Sequence, residues 1–362
     1  MKKLVPFLLA LLMLLAIGCT AAPAAETAAD TAGTTEATAE TAGGDAAQAA
    51  AQEATAAPAA DDGTITIALS SQHLTNDFNR GVLAGVTAKA EELGVKLITA
   101  NAQGDSNKQV ADIENFLTMG VSAVIIGGGE GPAFEPVMQK MKEMGIPCIT
   151  VDITSEYSTC NLTSDNFNGG EQLSLYCVNK LGRAGNILVL DTPGWQSLII
   201  RLRMLDAVIQ DYPAIKIVQT ISIGTNDAVN NYYKEVKAYL QGNSDVQCVY
   251  CDWGLAAVGA SKAIRELGMQ DKIFVVCVDA DQVVLEEMKQ ADSPLTAVVG
   301  QYPDKLGSGA VEMAVASVKG ESIPKEVYAP IILIEKTNPQ AWFSSPAIMT
   351  PDEAWSALYP AQ

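Results

Sequence analysis

The chain has 362 residues, a formal net charge of −19 and a single histidine, His73. So acidic a surface excludes nucleic acid as a partner, because nucleic-acid binding needs a basic footprint. One histidine also leaves little from which to build a Ser-His-Asp or Cys-His nucleophile or an imidazole metal site.

Lys2 and Lys3 precede the apolar stretch Leu8 to Ile17 and then Gly18-Cys19. That stretch is shorter than the roughly 20 residues a membrane-spanning helix needs, so residues 1–19 are predicted to be an export signal. The ending AIGC resembles a bacterial lipobox, with Ala16 where leucine is more usual. The resemblance implies that Cys19 is lipidated and anchors the chain outside the cytoplasm; in a plain secretory signal Cys19 would have no role. Residues 20–62 are almost entirely Ala, Thr, Glu, Asp, Gly and Pro, with no aromatic, Lys or Arg. Such a segment cannot bury enough apolar surface to offset its ordering entropy, and it is predicted to be a disordered acidic tether. Setting aside its eight acids and the two leader lysines leaves −13 on residues 63–362. Those residues, about 300, suffice for two lobes of ordinary domain size.

From Thr64 onward, short β-rich runs alternate with amphipathic segments of helical period. TITIAL precedes a helix from about Asp77 to Leu93, VKLITA precedes Ser106 to Met119, SAVIIG precedes Pro132 to Met144, and IPCITV follows. Glycine stands just past each of these helices (Gly94, Gly120, Gly145), the expected stop signal. The alternation then repeats. GNILVLD leads to a helix through Arg203, IKIVQT to Asn226–Gln241, VQCVYC to Leu255–Leu267, KIFVVCVD to a helix near Glu286, and LTAVVGQ to Lys305–Val318. A last strand-like run, VYAPIILIEK, follows. Strands apolar on both faces and separated by helices predict parallel sheets covered on both sides. Two successive units of similar size predict an α/β fold with two Rossmann-like lobes.

In open sheets of this kind ligands bind beyond the carboxyl ends of the strands. Asp152 ends GIPCITVD and Asp279 ends FVVCVD; Gln301 follows TAVVG, Asp191 follows NILVL and Asp252 follows CVYC. Polar groups at these strand ends, from both halves, are expected to converge on one cleft, whereas Asp165 and Asp281 read as helix N-caps. Six cysteines follow Cys19. Cys248 and Cys251 have C-x-x-C spacing, but in a strand positions i and i+3 face opposite ways. All six are predicted to be buried small hydrophobes, with no metal and no cofactor.

The segments TIALSSQHLTNDF, GIPCITVDI, SDNFNGG, RLRMLDA, VVCVDAD and GQYPDKLG, in this order and spacing, resemble the periplasmic sugar-binding proteins of ABC transporters, the ribose-binding group in particular. The resemblance spans residues 64 to about 338. It implies a type I periplasmic binding protein, with two lobes joined by three crossings near residues 163–165, 300–302 and 329–331. An N-terminal lobe of 63–164 and 302–330 and a C-terminal lobe of 165–301 and 331–362 follow. Carried over by position, the ligand residues are Asn76, Phe78, Asp152, Arg203, Asp279 and Gln301. A carboxylate accepts neighbouring hydroxyl protons and a guanidinium supplies several donors in one plane, which suits a polyol. Phe78, Trp195 and Trp253 are candidate rings for the C–H face of a sugar; the tryptophans could equally pack between loop and helix.

Three departures argue against naming ribose. Ile153 follows Asp152 where the ribose group usually has arginine, Trp253 stands where asparagine is common, and GGGEGP (residues 127–132) replaces Asn-Pro. That glycine loop is read as extra space in the cleft, since Glu130 would repel an anion. The leading expectation is a monomeric solute-binding lipoprotein that captures a sugar or polyol by lobe closure and delivers it to an ABC permease. A receptor presenting a solute to a chemosensor or sensor kinase is the alternative. A sugar-responsive repressor lacks its helix-turn-helix here, and a glycosidase would need one raised carboxyl pKa that nothing in the local sequence suggests.

Overall fold

The computed structural model describes residues 63–337 together with Pro351 and Glu353. The expected leader and tether, Cys19 included, lie outside the described residues, as does the rest of the C-terminal segment.

The first stretch runs β1 (Thr66–Ser71), α1 (Asp77–Leu93), β2 (Lys96–Asn101), α2 (Ser106–Thr118), β3 (Ala123–Gly127), α3 (Gly131–Met144), β4 (Cys148–Val151) and β5 (Cys160–Ser164). The second runs α4 (Asn166–Lys180), β6 (Gly185–Asp191), α5 (Gln196–Ile209), β7 (Ile215–Ser222), α6 (Ala228–Gly242), β8 (Cys248–Cys251), α7 (Gly254–Glu266), β9 (Phe274–Val278), α8 (Gln282–Lys289) and β10 (Leu295–Gly300). The chain then continues through α9 (Pro303–Val318), β11 (Glu326–Ala329) and β12 (Ile332–Glu335).

The strands form two six-stranded sheets, ordered β11-β5-β4-β3-β1-β2 and β12-β10-β9-β8-β6-β7. All pairs are parallel except β10 with β12. The central strands of each sheet are buried on both faces because alternate residues feed different cores. In the first, Ile67, Leu69, Ile125 and Ile149 pack toward α1 and α9, whereas Ala68, Val124, Ile126 and Cys148 pack toward α2 and α3. That is why these strands read as continuous apolar runs. The chain passes between sheets after Ser164, after Gly300 and after Ala329.

The helix stops behave as their glycines predict. Gly94 and Gly145 cap α1 and α3 at φ 65° and 72°, in the left-handed region where a Cβ is penalised. The α1–α9 contact uses glycine differently. A Cβ on Gly85 would lie 1.9 Å from the Asp304 carbonyl oxygen, and one on Gly307 would lie 2.1 Å from that of Val82. The two helices therefore meet backbone to backbone, and an alanine at either position would push them apart at a typical overpacking cost of about 1–3 kcal/mol.

Two differences from the sequence reading have simple causes. VYAPIILIEK is two strands in two sheets, β11 parallel to β5 and β12 antiparallel to β10, because Pro330 interrupts the run where the chain changes lobes. The strand β5 and helix α4 do not stand out in the periodicity. CNLTS is short and partly polar, and α4 opens with NFNGG, poor helix formers by propensity. Gly170 is needed there because a Cβ would come within 2.9 Å of the Arg201 carbonyl on α5.

Candidate functional site

The carboxyl ends of both sheets face one cleft. Seven residues singled out from the sequence line it together: Asn76, Phe78, Asp152, Trp195, Trp253, Asp279 and Gln301. Arg203 does not. It lies on the exposed side of α5, and the guanidinium in the cleft belongs to Arg201, which is 2% exposed. The reason is helical phase. Leu198, Arg201 and Leu205 are spaced to share the buried face of α5, and position 203 points away from it.

Asp152 and Asp279 occupy matching places in the two lobes. Each directly follows a strand, β4 or β9, and each has a left-handed backbone, φ 59° and 78°. Each donates its N–H to the neighbouring strand, Asp152 to the Leu162 carbonyl at 3.0 Å and Asp279 to that of Val299 at 2.9 Å. The left-handed conformation costs a non-glycine residue about 1–2 kcal/mol, and such strain tends to sit at functional positions.

The two acids are linked through the first crossing. Thr163 Oγ1 donates to Asp152 Oδ1 at 2.6 Å, and Asn166 Nδ2 donates to Thr163 Oγ1 at 3.0 Å. Arg201 Nε then donates to Asn166 Oδ1 at 2.8 Å. Arg201 Nη1 reaches Asp279 Oδ2 at 3.3 Å and the Asp252 carbonyl at 2.8 Å. Burial pushes both carboxyls above their ordinary value; the Thr163 hydroxyl and Arg201 oppose it at Asp152, and Arg201 opposes it at Asp279. Gln301, at the second crossing, is 5% exposed, yet neither amide atom has a hydrogen-bond partner among the described residues. A buried amide in that condition needs a partner supplied from the cleft.

Two other strand-end acids do not reach the cleft. Asp191 accepts the Ser222 hydroxyl at 2.7 Å on the edge strand. Asp252 turns inward, accepting the Thr192 N–H at 2.6 Å, and burial raises its pKa to about 7. Asp165 caps α4 by accepting the Asn168 N–H at 3.0 Å. Asp281 occupies the N-cap position of α8 without a side-chain bond to that helix. The bond comes from the other lobe, where Asp77 Oδ2 accepts the Gln282 N–H at 2.6 Å.

The departures from the ribose pattern have structural counterparts. Ile153 is 1% exposed and packs into the first lobe's core with Phe134, so it leaves no side chain in the cleft. Glu130 is exposed, whereas Gly128 lines the cleft. A Cβ on Gly128 would lie 3.6 Å from both the Trp195 ring and Asn79 Oδ1, an ordinary contact, so its glycine answers to a φ of 71° rather than to lack of space. Trp253, 9% exposed, stands at the N-cap of α7. His73 also lines the cleft; its Nδ1 is engaged by Thr75 and Asn79, and burial lowers its pKa. The six described cysteines are buried and unpaired, and no His/Cys/Asp/Glu cluster suited to a metal occurs among the described residues.

This arrangement has close parallels. The chain is 28% identical over 271 residues to the ribose import binding protein RbsB of Bacillus subtilis, covering 74% of this chain and 86% of that one. It superposes with a TM-score of 0.73 at 26% identity on an ABC transporter solute binding protein from Agrobacterium vitis with bound allitol, covering 76% and 96%. For the 5-methylthioribose transporter solute binding protein from Thermotoga lettingae, in complex with 5-methylthioribose, the TM-score is 0.72 at 28% identity, covering 81% and 91%. The periplasmic binding protein domain model matches residues 67–322, more than half of the chain. With two sheets whose carboxyl ends face one cleft, the chain belongs to the periplasmic binding protein family, whose members bind substrates and are not enzymes.

Proposed function

We propose that the protein is the solute-binding component of an ABC importer, capturing a monosaccharide or polyol between its lobes and delivering it to the permease. The observation that carries this reading is the chain Asp152–Thr163–Asn166–Arg201–Asp279 beside the unpartnered Gln301. It offers carboxylate acceptors, a guanidinium donor and an amide to a ligand rich in hydroxyls. Such a ligand satisfies groups that are otherwise costly to bury, which rejects analogues lacking a hydroxyl. Both lobes contribute, so ligand contacts complete in the closed form favour closure. The relatives named above are import or transporter binding proteins, and no observation favours the receptor reading.

Calorimetric titration against pentoses, hexoses, deoxy sugars and polyols, with amino acids and nucleosides as controls, tests this. Saturable binding to at least one sugar or polyol is expected, weakened by about 2 kcal/mol or more in Asp152→Ala and in Asp279→Ala. Binding to amino acids or nucleosides alone would sink the sugar reading. Lipid anchoring through Cys19 is part of the same proposal. Cys19→Ala is expected to move the protein from the membrane fraction to the soluble exported fraction, and unchanged partitioning would remove the anchor.

A further inference from the structure

His73 is the chain's only histidine, and it stands half-buried at the cleft in the loop between β1 and α1. Three groups converge on its Nδ1: the Thr75 hydroxyl at 2.9 Å, the Asn79 side-chain amide nitrogen at 3.3 Å and the Thr75 backbone N–H at 3.4 Å. Two of them, a backbone N–H and an amide nitrogen, can only donate. A proton on Nδ1 would point at both, so Nδ1 is the lone-pair nitrogen of the ring. Burial lowers the pKa of His73, which keeps the ring neutral near neutral pH. A neutral imidazole carries one proton, and here it is on Nε2.

The loop that fixes this tautomer is itself held. Asn79 is 6% exposed, and its backbone N–H donates at 2.9 Å to the Asn76 side chain that caps α1. With Nδ1 spent on the loop, Nε2–H is the one hydrogen-bonding group His73 can offer to a solute, and it can only donate. A sugar hydroxyl both donates and accepts. Asp152 gives the first-lobe side of the cleft a carboxylate acceptor, and a ring N–H from the same lobe is its complement. A neutral donor is also less costly to bury than a second cation would be.

We propose that His73 is a solute-binding residue whose Nε2–H donates to an oxygen of the bound sugar or polyol from the first lobe. This rests on the sugar or polyol reading above and adds to it a contact from the β1–α1 loop.

Two substitutions separate the two ring nitrogens. The asparagine amide falls where Nδ1 lies, so His73→Asn keeps an acceptor for Thr75 and Asn79 but puts nothing in place of Nε2. Glutamine reaches the Nε2 position, so His73→Gln restores a donor there. The untagged exported protein is titrated with D-ribose, D-xylose, D-glucose, D-galactose, xylitol and sorbitol. For the member that the unsubstituted protein binds best, His73→Asn is expected to weaken binding about tenfold, the effect of one neutral hydrogen bond, and His73→Gln to stay within about threefold. Heteronuclear NMR of the ring nitrogens reads the same assignment without a substitution, because no other histidine contributes. The proton is expected on Nε2, whose resonance should move on saturation with that sugar or polyol while Nδ1 stays unprotonated. A proton on Nδ1 overturns the assignment, even in protein that binds none of the six. Equal affinities for the unsubstituted protein and His73→Asn, or an Nε2 resonance unmoved at saturation, overturn the contact and leave the sugar reading intact. His73→Gln as weak as His73→Asn would trace the loss to the loop, and that too overturns the contact. No saturable binding to any of the six overturns the sugar reading on which the proposal rests.

Discussion

Arg201→Met is expected to weaken solute binding by about 100-fold or more and to lower the unfolding free energy by about 3 kcal/mol, whereas Arg203→Met changes neither. Arg201 is held by Asn166, Asp279 and the Asp252 carbonyl, and it is nearly inaccessible to solvent. Removing one partner of a buried ion pair costs about 3–5 kcal/mol, because the other charge is left uncompensated. Here the abandoned group is Asp279, whose carboxyl burial already pushes upward and Arg201 holds back. Methionine keeps much of the volume, so the loss reads out charge and hydrogen bonding more than packing. Titration calorimetry and urea melts of the two variants check this. Retained binding in Arg201→Met with loss in Arg203→Met would reverse the assignment.

Solute affinity is also expected to fall as pH rises from 5 to 8, with Asp281 contributing up to about tenfold per unit at its steepest, and Asp281→Asn should flatten that dependence. Asp281 lies at the start of α8, facing the first lobe across the cleft. Burial raises its carboxyl to about 8, assisted by the charges of Asp279 and Asp77, with Arg80 and the Asp77 N–H opposing. In an open form the group is solvated and titrates near 4. Between those values the closed form binds more protons than the open one, so closure loses stability as pH rises through that window. Below it both forms are protonated, and above it both are ionised, so the dependence levels off. Asp152 and Asp279 are raised as well, so the wild-type slope is a sum, and the difference from Asp281→Asn isolates one contribution. Equal slopes for the two proteins would remove Asp281 from the closure equilibrium.

Much of this architecture is readable in the sequence because its strands are apolar on both faces and its helices end on glycine. GNILVLD and Asp77 to Leu93 coincide with β6 and α1 residue for residue. The same reading places Asp152, Asp279 and Gln301 at strand ends, where the fold gathers them. It misses what depends on phase and on long-range contact. Arg201 and Arg203 are two residues apart, and the buried face of α5 distinguishes them; the signal was available as the Leu198–Arg201–Leu205 spacing. Asp191 and Asp252 look equivalent to Asp279 along the chain. They part company only through Ser222 and Thr192, partners 31 and 60 residues away. Trp195 and Gly128 line one cleft from loops of different lobes, and no local pattern announces that.

The backbone contact between α1 and α9 also constrains how the molecule is assembled. Ser308 bonds to the Gly85 carbonyl across 223 residues of sequence. The second sheet's strands β6 to β10 and the helices among them all lie between these two helices in the chain. Closing a flexible loop of that length costs roughly 5 kcal/mol in chain entropy. If the inserted residues fold first, Asn166 and Gln301 are brought into one compact body and most of that loop is removed before α9 docks. The first lobe thus depends on the second for an inexpensive closure, although the second is made later. In a chain that emerges N-terminus first, β1 to β5 must wait, with the α1 surface around Gly85 open, until residues 303–318 arrive to cover it.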